Sequence, residues 1–229
     1  MKIEKIKSKY LNLGLEDISQ DLVLNIDEHT DENGDFDYDS YVKAQTRLNV
    51  QKINLNFEGP RFGRIMKITQ YIKENIPNLN FGLCHGTRTG VEQQYFKKLL
   101  KIDVLGTEIS HTATEFPDTI RWDFHEIKDE WINNVCFIFS NSLDHSYDPI
   151  HCLSQWMKCI KPAGKIFLQK SEDDYPDHIN TYPEADIFQS SDEAFLKIID
   201  AAGAGEWIYK SPKELIENSR KRVIVLERK

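Results

Sequence analysis

The sequence predicts a doubly wound α/β fold, with a mostly parallel sheet, helices on both faces and further helices at the N-terminus. From Phe81 onward, short apolar runs alternate with segments of helical periodicity, a pattern typical of parallel sheets. The run Val135–Phe139 is apolar at every position. We expect such a run in a central strand that is covered on both faces.

The individual elements follow from short apolar runs and from helix-start patterns. Six strands are predicted at residues 81–84, 102–106, 119–122, 135–140, 165–169 and 222–227, with a weaker one at 206–209. Two N-terminal helices are predicted at 41–56 and 64–75. The predicted helix starts are Thr89 with Glu92, Asp148 with Pro149, Ser190 with Glu193, and Ser211 and Pro212 with Glu214.

Length and composition favour one sizeable domain with an N-terminal appendage. The chain has 229 residues, of which 40% are apolar and 11% aromatic, enough for a real core. We predict an N-terminal segment over 1–76, with a helix that could act as a lid, and the sheet domain over 77–229. The acidic run 27–40 is predicted to be a solvated loop, because its spacing around Gly34 puts His29 and Ser40 where a calcium loop needs Asp and Glu.

Net charge, hydrophobic patterning and cysteine spacing argue against a nucleic-acid-binding, secreted or membrane protein. A net charge of −8 argues against nucleic acid as a partner, because phosphate contacts need clustered Lys and Arg. No secretory signal and no membrane-spanning run is found, so we expect a cytoplasmic protein without a membrane partner. The four cysteines (84, 136, 152 and 159) form no CxxC pair and are expected to be reduced and mostly structural.

Polar residues that follow the strands are the candidate ligand contacts, since ligands of such sheets bind at the carboxyl ends of the strands. The turn Gly86-Thr87-Arg88-Thr89-Gly90 follows the first strand of the sheet, and Glu108 ends the next one. An acid about 20 residues after a glycine turn is placed to bind a ribose hydroxyl pair. The alternative is a solvated acid at a strand end.

Arg88 does not decide which cofactor the turn binds. A guanidinium in a glycine turn binds either the phosphate of a dinucleotide or the methionine carboxylate of S-adenosylmethionine. Since Gly86 and Gly90 are separated by three residues, the G-x-G-x-x-G pattern is incomplete and close approach to a pyrophosphate is less well provided for. Asp123 and Phe124 fall where an adenine would lie. The alternative interpretation is that Asp123 caps the following helix and Phe124 packs under the edge of the sheet.

Four histidines, at 85, 111, 125 and 145, follow four successive strands. A metal site built from them with Asp144 is conceivable, but no HxH or HxxxH pair supports it, and no metal site is predicted. We predict His145, with its neighbour Asp144, as the catalytic pair, with His145 acting as general base. The alternative is that His145 is a hydrogen-bonded loop residue.

Several segments together resemble a group of class I S-adenosylmethionine-dependent methyltransferases. They are the stretches 81–96 (FGLCHGTRTGVEQQYF), 104–127, 139–168 and, before the sheet domain, 41–53 (YVKAQTRLNVQKI). Within them, the loop SNSLDHS and the turn Ile160-Lys-Pro-Ala-Gly164 carry much of the likeness, the latter matching the LKPGG of many methyltransferases. The resemblance implies a seven-stranded sheet whose last strands form an antiparallel pair.

The resemblance also implies residue roles for S-adenosyl-L-methionine. Gly86, Thr87, Arg88 and Gly90 correspond to the turn around the methionine half, Glu108 and Ile109 to the ribose contacts, Asp123 and Phe124 to the adenine contacts, and Ser140, Asn141 and Ser142 to the loop beside the sulfonium. Two positions depart from the pattern: Arg88 replaces the middle glycine, and Cys84 replaces the acid that usually holds the cofactor's amino group.

The function implied is methyl transfer to a small-molecule or saccharide-like acceptor, with oxygen as the expected acceptor atom. Two alternatives stay open. A methyltransferase-shaped domain could bind a ligand or partner without turnover, which the missing acid at Cys84 favours. An NAD(P)-dependent oxidoreductase shares the sheet and the ribose acid, but its glycine pattern is poor here and no Tyr-x-x-x-Lys pair follows the fourth strand.

Overall fold

One large sheet organises the chain in the computed structural model, which describes residues 1–15, 21–55, 62–171, 186–218 and 221–229. The helices are α1 (Ile3–Leu11), α2 (Tyr38–Asn54), α3 (Phe62–Asn75), α4 (Val91–Leu100), α5 (Pro149–Cys159) and α6 (Asp192–Ala202). The strands are β1 (Leu22–Leu24), β2 (Phe81–His85), β3 (Asp103–Glu108), β4 (Thr119–Arg121), β5 (Val135–Ser140), β6 (Ile160–Ser171), β7 (Phe188–Ser190), β8 (Trp207–Lys210), β9 (Ile216–Asn218) and β10 (Lys221–Arg228).

The strand order of the sheet is β4-β3-β2-β5-β6-β10-β8, with the short β9 paired to β10. The first five strands are parallel, and β10 runs antiparallel to both β6 and β8. The predicted fold class is confirmed. Because the chain order reverses between β2 and β5, a crevice opens outside the carboxyl ends of these two strands, where doubly wound sheets bind their ligands.

Helices cover both faces of the sheet. On one face Trp156 of α5 and Ile198 of α6 pack with Ile138 of β5. On the other face Ile68 of α3 and Phe96 of α4 pack with the next residue of β5, Phe139. Every residue of β5 is buried, which confirms its predicted place as a central strand.

The N-terminal segment packs into the same core as the sheet. Ile3, Ile6 and Tyr10 of α1 are buried in the cluster that contains Trp156. Strand β1 is buried throughout and pairs antiparallel with β7 in a separate two-stranded sheet. The sequence pattern does not predict α1, because its three buried positions lie among lysines and polar residues.

The acidic run 27–40 forms turns and a helix start. The Asp31 carboxylate accepts hydrogen bonds from the backbone N–H groups of Asn33 (2.9 Å) and Asp35 (2.8 Å). Asp37 caps α2 by accepting from the N–H of Ser40 at 3.0 Å. The helix therefore begins at Tyr38, three residues before its predicted start.

Two helix starts differ from the sequence prediction by one residue, and a third is not an α-helix. Asp148 caps α5 as predicted. Helix α4 is preceded by Gly90 rather than by Thr89, because the left-handed turn continues to this glycine. Helix α6 is capped by Ser191 rather than by Ser190, because Ser190 still belongs to β7. After Pro212 there is only a 3-10 turn, Lys213–Leu215, without a side-chain cap.

The predicted turn at 160–164 is a bulge inside a longer strand. Strand β6 begins at Ile160, which pairs with Val135, and the register then shifts so that Lys165 pairs with Phe137. Ala163 takes a left-handed conformation with φ of 65°, which accommodates the extra residues. Among the described residues, no helix has both the length and the apolar character needed to cross a membrane.

Candidate active site

The main cleft lies at the reversal of the strand order. It opens to solvent, has a cavity volume of about 50 Å³ and is lined by Tyr41, Gln45, Leu48, Asn49, Lys52, Gly86, Arg88, Glu108, Ile109, Asp123, Phe124, Ser142 and His145. Eight of these residues were singled out from the sequence, and the other five lie on α2.

The turn between β2 and α4 is held against β3 by its backbone. The N–H groups of Gly86 and Thr87 both donate to the carbonyl of Thr107, at 2.9 and 3.1 Å. Gly86, Arg88 and Gly90 have left-handed φ angles of 71°, 45° and 71°. A Cβ atom at Gly86 would lie 2.5 Å from Cβ of Ser142, so only glycine lets the turn approach the loop after β5.

Glu108 joins this turn to the end of β3. Its carboxylate accepts from the backbone N–H of Arg88 at 3.0 Å and from that of Ser110 at 3.0 Å. The side chain lines the cleft although the residue is buried. A carboxylate has about four acceptor positions, so the two bonds fix its orientation and leave capacity for hydroxyl donors.

Asp123 begins a chain of hydrogen bonds that leads from the cleft into the core. Its Oδ1 accepts from the N–H of His125 at 2.9 Å and lies 2.7 Å from Nδ1 of the same residue, while Tyr38 donates its hydroxyl to Oδ2 at 2.9 Å. Burial raises the pKa of Asp123, but the hydrogen bonds from His125 and Tyr38 outweigh it, and the pKa lies below its usual value. The carboxylate therefore stays ionised at neutral pH.

His125 links this carboxylate to the loop after β5. Its Nε2 lies 2.8 Å from Oγ of Ser146, and its ring stacks on Tyr147 with the centroids 3.8 Å apart. With Asp123 accepting from Nδ1–H, Nε2 accepts from the Ser146 hydroxyl. We conclude that His125 positions Asp123 and this loop relative to each other.

Phe124 both lines the main cleft and packs against a core tryptophan. It lines the main cleft and packs edge-on against Trp156, with ring centroids 5.7 Å apart. The indole N–H of Trp156 donates to the Phe124 carbonyl at 2.7 Å. Trp156 therefore holds the Phe124 ring in place on the side that faces the core.

Five other predicted residues do not line the main cleft. Thr87, Gly90 and Ser140 are buried behind it; Ser140 donates to the carbonyl of His85 at 3.0 Å and accepts from the N–H of Ser142 at 3.1 Å. Asn141 and Asp144 face a second space, the side cleft, which is also lined by Lys52, Lys170, Asp186 and Phe188 and has a cavity volume of about 340 Å³. The sequence also predicts that residues 170–190 shape the pocket; of these, residues 172–185 lie outside the described residues.

His145 and Asp144 occupy the boundary between the two clefts. His145 lines the main cleft and Asp144 the side cleft, and the Tyr41 hydroxyl of α2 donates to the His145 carbonyl at 3.1 Å. Asp186, which no sequence pattern marks, joins them. Burial and the negative charge of Asp144 raise the pKa of Asp186, partly offset by His145 and Lys52.

The residues that the sequence reasoning left without a ligand role lie on α2. Tyr41, Gln45 and Asn49 form its buried stripe, and the amide nitrogen of Gln45 is buried without a hydrogen-bond acceptor among the described residues. The helical spacing of Tyr41, Gln45 and Leu48 is visible in the sequence. The sequence does not reveal that this stripe faces the cleft, because a stripe of mixed polar residues resembles a face exposed to solvent.

Cys84 stands where an acid was expected, and it lies in the apolar core. It is fully buried with Phe96 and Phe139, and burial, followed by the charge of Glu92, raises the pKa of its thiol. Glu92, in the first turn of α4, is itself buried, which raises its pKa to about 7. A carboxyl group is therefore present beside this position, contributed by the helix rather than the strand.

No protein-family model and no curated protein matches the chain. Solved structures do resemble it. The Burkholderia thailandensis 1,6-didemethyltoxoflavin-N1-methyltransferase, with bound 1,6-didemethyltoxoflavin and S-adenosylhomocysteine, is 9% identical, with a TM-score of 0.60 over 83% of this chain and 89% of that one. The plantazolicin methyltransferase BpumL, in complex with S-adenosylhomocysteine, is 14% identical, with a TM-score of 0.56 over 99% and 98%.

A third structure of the same kind is the sugar N-methyltransferase KedS8 from a Streptoalloteichus species. It is 11% identical, with a TM-score of 0.59 over 78% of this chain and 92% of that one. At such identities the likeness is one of fold. The fold of this chain is that of the class I S-adenosylmethionine-dependent methyltransferases, which agrees with its strand order.

Proposed function

We propose that this chain is an S-adenosylmethionine-dependent methyltransferase that acts on a small-molecule or saccharide-like acceptor. The observation that carries the proposal is the main cleft, where Glu108, Asp123 and Phe124 converge beside the turn at Gly86. The structurally similar proteins support it, since they include methyltransferases of a small molecule and of a sugar.

The residues of the main cleft fit this cofactor. Glu108 retains acceptor positions for a ribose hydroxyl pair, and Phe124 with Ile109 offers apolar surface to an adenine. Arg88 offers a guanidinium to the methionine carboxylate. The buried amide nitrogen of Gln45 has no acceptor among the described residues, and a polar cofactor would supply one.

The chain's own contribution to the reaction is mainly alignment. When bound, the cofactor supplies a methyl group already activated by its sulfonium. The loop after β5, held to the Gly86 carbonyl by the Ser142 hydroxyl at 3.1 Å, fixes one wall of the cleft, and α2 covers another. Such positioning lowers the reaction barrier more than proton removal does, and removal of the acceptor proton by His145 adds about 10²–10⁴-fold to the rate.

We further propose that the side cleft receives the acceptor and that oxygen is the methylated atom. Lys52 lines both clefts, so an acceptor in the side cleft lies next to the main cleft. The chain lacks the Asn-Pro-Pro-Tyr sequence of enzymes that methylate amino groups in nucleic acids. Two of the similar structures are named as N-methyltransferases, so analysis of the methylated product is the test of the acceptor atom.

A second candidate is a methyltransferase-shaped binding domain without turnover. Cys84 is the observation that favours it, because a buried neutral thiol occupies the position of the usual acid. Under this alternative the chain binds S-adenosylhomocysteine as well as S-adenosylmethionine, and no methylated product forms with any extract.

Calorimetric titration with S-adenosylmethionine, S-adenosylhomocysteine and NADH tests the proposal. We expect binding of both sulfur compounds and none of NADH. Glu108→Gln should lower their affinity at least tenfold, because the lost charge weakens hydrogen bonds from hydroxyl donors. Glu115→Gln, at an exposed acid near the end of the same loop, is the control and should bind as the unmodified chain does. Heat with NADH alone would refute the proposal.

A further inference from the structure

Three potential metal ligands meet at the boundary between the two clefts. The side chains of Asp144, His145 and Asp186 each place one ligand atom so that all three atoms lie within 4.8 Å of one another, and all three residues are partly buried. Asp144 and His145 belong to the loop after β5, whereas Asp186 precedes β7. The fold brings them together from distant parts of the chain.

One carboxylate oxygen of the cluster lacks a hydrogen-bond donor among the described residues. Oδ1 of Asp144 is buried and has no hydrogen-bond donor among the described residues. A second carboxylate, that of Asp186, lies within the same 4.8 Å. Two carboxylates this close repel each other, and a shared cation between them removes the repulsion.

The donor set indicates which kind of ion fits. Mg²⁺ and Ca²⁺ prefer oxygen ligands alone, whereas imidazole with carboxylates suits Zn²⁺, Mn²⁺ and related ions. Ligand atoms around such an ion lie about 3–3.5 Å apart, since each metal–ligand bond is about 2.0–2.2 Å. From separations of up to 4.8 Å, side-chain rotations that bring the three atoms up to about 1.3–1.8 Å closer therefore complete the site.

We propose that Asp144, His145 and Asp186 bind a divalent transition-metal ion of the Zn²⁺ or Mn²⁺ type. Three protein ligands leave at least one coordination position open, as in catalytic rather than structural metal sites. Asp144 and Asp186 line the side cleft and His145 lines the main cleft. The open position is therefore available to an oxygen of a molecule in the side cleft.

The role of this ion rests on the proposed function, whereas its binding does not. If the side cleft receives the acceptor, the ion orients the acceptor oxygen toward the main cleft. With the ion bound, His145 is a ligand and does not act as the general base; proton removal by His145 belongs to the chain without the ion.

Metal binding by the full chain, without cofactor, tests the proposal directly. We would titrate MnCl₂ into the metal-free protein, follow the electron paramagnetic resonance signal of free Mn²⁺, and repeat the titration calorimetrically with ZnCl₂. One site per chain is expected. Asp186→Asn and Asp144→Asn should each weaken Mn²⁺ at least tenfold, while Asp129→Asn, at an exposed acid, leaves the affinity unchanged.

Absence of a Mn²⁺ or Zn²⁺ site in the unmodified chain overturns the proposal, as does full affinity in folded Asp186→Asn and Asp144→Asn variants. Circular dichroism establishes that each variant is folded. His145→Gln and the exposed control His111→Gln separate ligation by His145 from nonspecific binding; equal affinity in both also overturns it. S-Adenosylmethionine binding is measured separately, so failure of the metal site and failure of the proposed function are distinguishable.

Discussion

At Arg88 the backbone takes a conformation that normally favours glycine. Its φ of 45° lies in the left-handed region, where methyltransferase-like turns have their middle glycine. The chain keeps the backbone of the turn and adds a guanidinium to it. Its N–H still donates to Glu108, a bond that requires no particular side chain at position 88.

Substitutions at Arg88 separate these two contributions. Arg88→Gly should be more stable than Arg88→Ala by about 1 kcal/mol, because alanine is strained in the left-handed region. Both variants should lose the same affinity for S-adenosylmethionine, at least tenfold, because both lack the guanidinium. Urea unfolding and calorimetry measure the two effects.

Lys101 provides the matched comparison. It has a φ of 60° at the end of α4 and is exposed. Lys101→Gly and Lys101→Ala should show the same stability difference without any change in cofactor affinity. Unchanged affinity in both Arg88 variants contradicts the assigned role of the guanidinium.

Glu92 makes stability depend on pH. Burial raises its pKa from 4.5 to about 7, so the folded chain favours the protonated acid. For a group whose pKa is raised on folding, the contribution to stability is fully present below pH 4.5 and is lost as the pH rises through 7.

Glu92→Gln should remove this dependence. Relative to the unmodified chain, the variant should gain up to about 3 kcal/mol of unfolding free energy between pH 4.5 and pH 8, because the pKa of Glu92 rises on folding and the glutamine does not titrate. Urea unfolding at several pH values measures it. The exposed Glu115→Gln should follow the unmodified chain, and a parallel profile for Glu92→Gln contradicts the expectation.

At the scale of elements, α2 is the part of the N-terminal segment that completes the main cleft. Its buried stripe of Tyr41, Gln45 and Asn49 is polar at two of three positions, which an ordinary core-facing helix would avoid. Tyr38 and Tyr41 attach the helix to Asp123 and to the His145 carbonyl. We propose that the helix acts as a lid whose polar stripe faces the cofactor.

Gln45→Met tests the orientation of this stripe toward a ligand. The amide nitrogen of Gln45 has no hydrogen-bond acceptor in the described part of the chain, so an apolar side chain of similar size should raise the unfolding free energy by about 1 kcal/mol. The same change should weaken S-adenosylmethionine binding several-fold. Gln51→Met, at an exposed position of the same helix, should alter neither quantity, and a Gln45→Met variant with undiminished affinity contradicts the role of the stripe.

At the scale of the whole molecule, the N-terminus and the sheet form one packed body around the site. Strand β1 pairs with β7, and the N–H of Asn25 donates to the Ile187 carbonyl at 2.8 Å. This pairing fixes the backbone next to Asp186. The N-terminal segment therefore contributes α2 to the main cleft and holds a ligand of the proposed metal site.

Because α2 and the sheet meet across the main cleft, ligand binding should stabilise the whole chain. At about 100 times its dissociation constant a ligand adds about 2.7 kcal/mol, which corresponds to a rise in melting temperature of about 5–10 °C for a chain of this size. Differential scanning calorimetry with S-adenosylhomocysteine should detect this rise. NADH at the same concentration should produce none, and the reverse result contradicts the cofactor assignment.

The sequence by itself determined the alternation of strands and helices, the central place of β5 and the polar residues at the carboxyl edge of the sheet. These features are local, since they depend on periodicity within one element and on the residues that directly follow a strand. Glu108, Asp123 and His145 were therefore predictable as candidates, and the structure brings them to one cleft.

Three features depended on the tertiary structure alone. They are the orientation of α2 toward the cleft, the burial of Glu92, and the position of Asp186 beside Asp144 and His145. Each of these depends on contacts between segments far apart in the chain, and no local pattern encodes them. A polar stripe, a helix-start acid and an isolated aspartate look the same in the sequence whether they face solvent or a cleft. Packing against the sheet supplies the difference, because it sets which of these groups are removed from water.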